Sequence, residues 1–416
     1  MAWYNSNWNS RRSITLSPTT SIADYQVKVV LTGTTLTGAQ LTTGNANGND
    51  IRFTGPDGTT LQNHWIESWN ASGTIVTATI WIKVTTSGTS NIYIYYGNSG
   101  AANASSGTNT FNFYDDFTGN TYRETGWINT DATKFSLVNN ELKITNFYNN
   151  SNNQMYNTNT RVANIGQNFE MQFDAKCILG AWDPWLLVGL RSGTVTANNG
   201  PFIGAAIRGG GTSGNIELYY VSPSQSLAYG TNINAKNGGV TGNRFYYTLR
   251  SYNGTATLYV YSDSARTTSL GSSTYSYTAF TPSIVDFPNY LHYGAVNDNY
   301  YSAVYMDNIR IRNYISPDPV LSIIGTEEVQ ANIAATDITL DHTTPCIEGT
   351  CIVTANVTWT NSGTWSGDFV PNIKINGNIQ TPIYPSQSLA AGNSVTKSFS
   401  IIGLPIGTHT ICPYPN

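Results

Sequence analysis

The sequence predicts an all-β protein built as three serial β-sandwich domains, and three observations carry that reading. Only 11% of its 416 residues are charged, against about 25% in ordinary soluble proteins, and Gly, Asn, Thr and Ser fill the difference. Aromatic residues nevertheless reach 12%, with 27 Tyr and 10 Trp, a content that disordered polar chains lack. The apolar residues fall in short alternating runs between Gly-, Pro- and Asn-rich turns, with no convincing helical period.

Residues 1–112 form a first, jelly-roll-like unit. Strands are expected over residues 12–16, 25–31, 50–53, 64–69, 76–84 and 92–96. The turn Gly55-Pro56-Asp57-Gly58 is a strong one, because Pro presets φ and Gly tolerates positive φ. Ile80, Ile82 and Val84 share one face, with Trp81 and Lys83 on the other; Ile92 and Ile94 likewise oppose Tyr93 and Tyr95. Trp8 and Arg12-Ser13-Ile14, then DIRFTGPDGTTL (50–61), WIESWN (65–70), ATIWIKV (78–84) and NIYIYYGN (91–98) together resemble the DUF2341 family. That family is a domain of unknown function on surface-exposed and phage-type proteins. The resemblance implies no chemistry, but it implies a concanavalin-like sandwich as neighbour.

Residues 97–110 read as a Gly/Ala/Ser/Asn-rich linker. The central sandwich, residues 113–315, opens with FYDDF (113–117) and closes with VYMDNIRIRNY (304–314), so its first and last strands are expected side by side. Ala256, Leu258 and Val260 face one way and Tyr259 and Tyr261 the other, after an Asn253-Gly254 hairpin signal. YDDF (114–117), VNNELKI (138–144), FEMQFDAK (169–176), FYYTLR (245–250) and MDNIRIRN (306–313) together resemble the concanavalin A-like (laminin-G-like) lectin/glucanase superfamily.

Residues 316–329, SPDPVLSIIGTEEV, read as a linker, and residues 330–416 as an immunoglobulin-like sandwich. ANVTWTNSGT (355–364) and the late GTHTI strand (407–411) resemble the CARDB-type adhesion modules of prokaryotic surface proteins. Cys177 reads as a small core residue. A Glu348-Gly349 turn would bring Cys346 and Cys351 opposite each other, so that pair is the expected disulfide, with Cys351–Cys412 the alternative, and either implies an oxidising compartment. A zinc site using His342 or His409 fits no standard spacing.

Composition narrows the function. No basic cluster could neutralise a phosphate backbone, so nucleic acid is not an expected partner. No apolar run reaches the roughly 18 to 20 residues needed for membrane insertion. The N-terminal MAWYNSNWNSRRS lacks a signal-peptide core, so export is expected through a removed leader or virion release. Glu170 and Asp174 lie on one strand face about 13 Å apart, too far for a glycosidase pair, and read as surface residues. Arg191 and Arg208 read as solvated. His64, His292, His342 and His409 are scattered over the units and form no triad.

The superfamily resemblance implies a structural Ca²⁺ where first and last strands meet, with Asp116 and Asp307 as ligands. Trp182, Asp183 and Trp185 on one loop, and Asp298, Asn299, Tyr300 and Tyr301 on another, form a candidate carbohydrate surface, unless Trp185 is core and the Tyr pair covers a sheet edge. The expected protein is a non-catalytic, adhesin-like molecule of the extracellular space, cell surface or virion surface, whose central domain binds a glycan such as a cell-surface polysaccharide. The alternatives are a self-associating structural subunit and, more distantly, a carbohydrate-active enzyme.

Overall fold

The computed structural model describes residues 3–36, 48–129, 132–145, 154–157, 162, 165–178, 185–192, 201–208, 215–222, 227–231, 233–234, 243–278, 280–288, 303–341, 352–380, 384–402 and 408–415. Regular structure there is β-strand, apart from short helical turns such as Gly107–Thr110.

Seven strands of the first unit come from its own sequence: β1 (Ser10–Ser17), β2 (Tyr25–Thr35), β3 (Arg52–Thr54), β4 (Leu61–Gln62), β5 (His64–Ser72), β6 (Ile75–Val84) and β7 (Asn91–Tyr96). The eighth comes from the far side of the central sandwich. Val320–Val329 lies between β1 and β2, giving the order β4-β3-β7-β1-(Val320–Val329)-β2-β6-β5. It runs antiparallel to β1, from Ser17↔Val320 to Ser10↔Val329, and meets β2 in parallel at Lys28↔Val320. The stretch expected as a linker is therefore a central strand of the first sheet. Gly325 lets it pass close to β1, since a Cβ there would lie 2.2 Å from Ser13 Oγ. Only Asn63 separates the two edge strands β4 and β5, and the Lys83 amide donates to its carbonyl at 2.8 Å. The sheet curls on itself around Ile14, Val27, Val29, Phe53, Ile80, Ile82, Ile92 and Ile94. Trp81 and Tyr95 point away from this core, as the alternation predicts.

Residues 97–110, also expected as a linker, are packed down. The Gly97 amide donates to buried Asp50 Oδ2 at 2.7 Å, the Ser106 amide to the His64 carbonyl at 2.9 Å, and Gln26 Nε2 to the Thr110 carbonyl at 3.0 Å.

The central unit is a two-sheet sandwich. One sheet runs Phe135–Val138, Glu141–Thr145, Ala303–Asn313, Phe169–Ile178, Arg244–Tyr252, Thr255–Tyr261, Ser269–Ser276; the other runs Leu227–Tyr229, Asn215–Val221, Phe202–Arg208, Trp185–Arg191, Ile284–Pro288, Gln154–Asn157, Trp127–Asn129. Between them lies a core that includes Phe113, Phe169, Met171, Phe173, Leu190, Ile203, Leu218, Leu249, Leu258 and Ile311. The opening strand Phe113–Asp115 pairs with the closing strand Ala303–Asn313, as the bookend motifs predict. The Asn253-Gly254 turn has φ of 48° and 74°, the left-handed pair a tight hairpin requires. Arg191, expected as solvated, is buried at 2% exposure with its guanidinium 5.6 Å from the Phe202 ring.

The third unit packs a three-stranded sheet (Ile333–Leu340, Ile352–Asn361, Ser394–Ile402) on smaller sheets that include Pro371–Ile375, Gly367–Phe369 and Gln387–Leu389. Its core holds Val357, Trp359, Phe369, Ile373 and Phe399. Trp365 of this unit docks on the first. Its Nε1 donates to Glu328 Oε2 at 2.9 Å, the oxygen that also accepts from Arg11 Nε at 2.8 Å. The fully buried Arg11 guanidinium sits 4.4 Å from the Trp365 ring, 4.5 Å from Tyr93 and 4.7 Å from Trp3.

A chain ending at residue 315 should leave β1 and β2 without the strand between them. It is expected to come out insoluble, or to lose hydrogen-exchange protection across β1 and β2. A chain ending at residue 330 retains that strand and should keep both protected.

Candidate functional site

The strand Phe169–Ile178 alternates Phe169, Met171, Phe173 and Ala175 into the sandwich core with Glu170, Gln172 and Asp174 on the opposite face. Cross-strand register sets the partners of this second face. Glu170 stands opposite Arg312 on one side and Arg250 on the other, and Gln172 opposite Arg310. Glu170 Oε1 accepts from Arg312 Nε and Gln172 Nε2, each at 3.0 Å, while Oε2 accepts from Arg250 Nε at 3.0 Å. Arg310 Nε donates to Gln172 Oε1 at 2.8 Å.

The first unit covers this face. Arg312 Nη1 donates to Tyr25 Oη at 2.9 Å and the Gln26 carbonyl at 3.1 Å, and its fork also grips Asp318. Arg310 reaches Glu67 Oε1 at 2.5 Å, and Trp81 Nε1 donates to Glu67 Oε2 at 2.8 Å. The Arg310 guanidinium lies 5.0 Å from the Trp65 ring, and that of Arg312 5.0 Å from Trp81. Glu170 and Asp174, expected as a surface pair, are each 2% exposed because a second unit lies over their face.

Burial pushes the Glu170 carboxyl up, but Arg312 and Arg250 outweigh it and hold it at about 2. Glu67 follows the same balance: burial raises it, Arg310 and Lys28 pull it down, and it settles at about 2. Asp307 goes the other way. Burial, reinforced by the charge of Asp174, lifts it to about 7. Asp307 and Asp174 stand opposite each other in the register, and Asn308 Nδ2 donates to both, at 2.8 Å to Asp174 and 3.2 Å to Asp307. Asn308 adopts φ 54° where the pairing slips by one residue. Arg244 pairs with Asp174 and Glu141.

Among the described residues, two hollows of about 290 Å³ and about 240 Å³ lie between the two units. Lys28, Ala265 and Arg266 line both hollows. Half-buried aromatic rings line them as well, Tyr261 in the larger and Trp65 and Tyr246 in the smaller. Val30 and Val320 stand at the larger one, about half exposed.

Of the residues predicted for sugar binding, Trp182, Asp183, Asp298, Asn299, Tyr300 and Tyr301 lie outside the described residues, as does the side chain of Trp185, whose backbone begins the Trp185–Arg191 strand. The Cys346–Cys351 pair also lies outside the described residues; Cys412 is an exposed free thiol.

The residues expected to hold Ca²⁺ do not fit an oxygen cage. Asp116 Oδ1 is taken by Arg123 Nε at 2.9 Å and by the Thr118 amide at 3.2 Å, and Oδ2 accepts from Tyr114 Oη at 3.3 Å. Asp307 Oδ1 accepts the Asn308 amide at 2.8 Å. Ca²⁺ takes about six to eight oxygen ligands. Among the described residues no group of three or more His, Cys, Asp or Glu side chains is placed to hold a metal ion.

A family model described as a domain of unknown function, DUF2341, matches residues 47–130. The match starts later than the resemblance in the sequence suggests and runs past the helical turn into the opening of the central sandwich. No curated protein matches the chain. Among solved structures, an endo-acting O-glycanase of the human gut microbiota is 12% identical, covering 49% of this chain and 100% of its own, with a TM-score of 0.35. A Bacillus licheniformis β-glucanase is 14% identical, covering 49% of this chain and 98% of its own, with a TM-score of 0.34. The CBM2 module of an evolved Dit protein from Lactobacillus casei BL23 phage J-1 is 12% identical, covering 52% and 93%, with a TM-score of 0.29. These likenesses carry no functional argument.

Arg312→Met should destabilise the protein by about 3–5 kcal/mol in urea unfolding, because it takes from buried Glu170 one of its two arginines and from Asp318 its ion-pair partner. Adding Glu170→Leu should recover part of the loss. The two kinds of carboxyl also set opposite pH trends. Glu67 and Glu170 contribute stability that is complete above pH 4.5 and lost as pH falls towards 2. Asp307 binds its proton more tightly folded than unfolded, so stability falls as pH rises from 3.8 through about 7. Differential scanning calorimetry should show a higher Tm near pH 5 than near pH 8, and Asp307→Asn should flatten the alkaline limb.

Proposed function

We propose that the protein is a non-catalytic, adhesin-like glycan-binding protein of the extracellular space, cell surface or virion surface, and that the glycan lies in the cleft between the first unit and the central sandwich. The observation that carries this reading is the lining: half-buried Trp65, Tyr246 and Tyr261 stand beside a fixed set of charged donors and acceptors. Sugars present C–H faces that pack on aromatic rings and hydroxyls that need polar partners whose orientation is already set. Here Glu170, Arg250 and Arg312 are oriented by one another before any ligand arrives, which lowers the entropy lost on binding.

The same electrostatics argue against a general-acid role for Glu170 and Glu67. Both are held ionised by arginines and cannot supply the proton that a glycosidic leaving group requires. One observation favours a second reading, hydrolysis. Asp307 has a raised carboxyl and shares the Asn308 amide with Asp174.

Both readings are tested by incubating the protein with a polysaccharide panel that includes cell-surface material, and scoring retention and new reducing ends. Retention without product is expected. Trp65→Ala and Tyr261→Ala should each weaken it by about tenfold, equivalent to about 1.4 kcal/mol. Reducing ends that disappear in Asp307→Asn would replace binding with hydrolysis.

A further inference from the structure

The charges around the cleft do not balance one against one. Its acids are already matched by direct partners: Glu67 by Arg310, Glu170 by Arg250 and Arg312, Asp318 by Arg312, and Asp174 by Arg244. Two cations remain on the wall common to both hollows. Lys28 Nζ lies 5.8 Å from the Trp81 ring and makes no hydrogen bond or ion pair among the described residues. Arg266 comes no nearer to a carboxylate than 3.7 Å, at Glu67 Oε1, which Arg310 already holds. Its side chain is nine-tenths buried; Nη1 and Nη2 donate to the Ser264 and Phe173 carbonyls at 3.3 and 3.5 Å, and Nε has no hydrogen-bond partner.

Arg266 is held there by its loop. Asp263 accepts the amides of Thr267 and Thr268 and the Thr267 hydroxyl, and its carbonyl accepts the Arg266 amide at 3.1 Å. This turn sets Arg266 at φ 57°, a left-handed conformation uncommon outside glycine. Burial above all, with Arg310 adding to it against the pull of Glu67, disfavours the protonated forms of both cations. An anion between them would relieve both penalties, and a guanidinium together with an ammonium group suits an oxyanion.

We propose that the cleft selects an acidic glycan, with the carboxylate or sulfate of one sugar held by Lys28 and Arg266 while neighbouring sugar faces pack on Tyr261 and Trp65. This rests on the glycan-binding reading and adds the substrate class. Isothermal titration calorimetry of the full chain with polygalacturonate, dextran sulfate and neutral dextran tests it, the first two probes separating carboxylate from sulfate. At least one acidic probe should bind at least tenfold more tightly than dextran, and raising the salt should weaken that binding. Lys28→Met and Arg266→Gln should each cost about tenfold against the acidic probe and should reduce the salt dependence of its binding. The salt dependence of the unaltered chain decides the matter if either variant folds poorly. Equal binding of neutral and acidic probes without salt dependence, or variants that bind the acidic probe like the parent, would overturn the acidic preference and leave glycan binding standing. No binding of any polysaccharide, cell-surface material included, would overturn both.

Discussion

Arg312 is the group on which the arrangement of the first two units depends. A guanidinium buried this deeply is tolerable only when its donors are matched, and its partners come from three separate parts of the chain: Glu170 within the sandwich, Tyr25 and Gln26 in the first unit, and Asp318 beyond the last sandwich strand. Asp318 stands two residues before the returning strand Val320–Val329. One ionic cluster therefore fixes the sandwich against the first unit and aims the chain back into the first sheet. In so charge-poor a sequence, the concentration of buried Glu170, Asp174, Arg310 and Arg312 on one sheet face marks that face as built for burial.

The cleft is a by-product of this union. The sandwich face and the outer face of β2, β5 and β6 touch through long side chains rather than through small apolar ones. Arginines, tryptophans and tyrosines meeting over a sheet leave space between them, and here that space is lined by groups whose positions are already determined. Lys28 lies on β2, a strand that the returning segment also touches, so the assembly of the first sheet and the shape of the cleft are coupled through one backbone.

Local features of this architecture were legible in the sequence, and most long-range ones were not. The alternation around Trp81 and the Asn253-Gly254 hairpin follow from period-two patterning and turn chemistry, whereas the pairing of the first and last sandwich strands was legible only through the motifs that open and close the unit. The Val320–Val329 strand did not announce itself. It follows a Pro-containing segment, and its partners β1 and β2 lie about 300 residues earlier, beyond any local pattern. Glu170 and Asp174 looked like a surface pair because alternation identifies two faces without saying what covers each. The charges in FEMQFDAK, YYTLRSY and IRIRN become complementary only once register places Glu170 between Arg250 and Arg312. Arg266 carried a weaker signal still: a loop residue three positions after an Asp that folds its own turn.

The nesting of the sandwich inside the first sheet has a mechanical side. Its opening and closing strands are hydrogen-bonded neighbours, and the segments leading to them join a sheet in which β1 is already zipped to Val320–Val329. Tension applied upstream of Ser10 and downstream of Val329 would load that zipper from its open end and bypass the sandwich. The first rungs to be strained are Ser10↔Val329 and Arg11↔Glu328, where Trp365 and the aromatic rings around Arg11 form a rivet. A molecule tugged by its ends would keep its cleft in shape until that rivet yields.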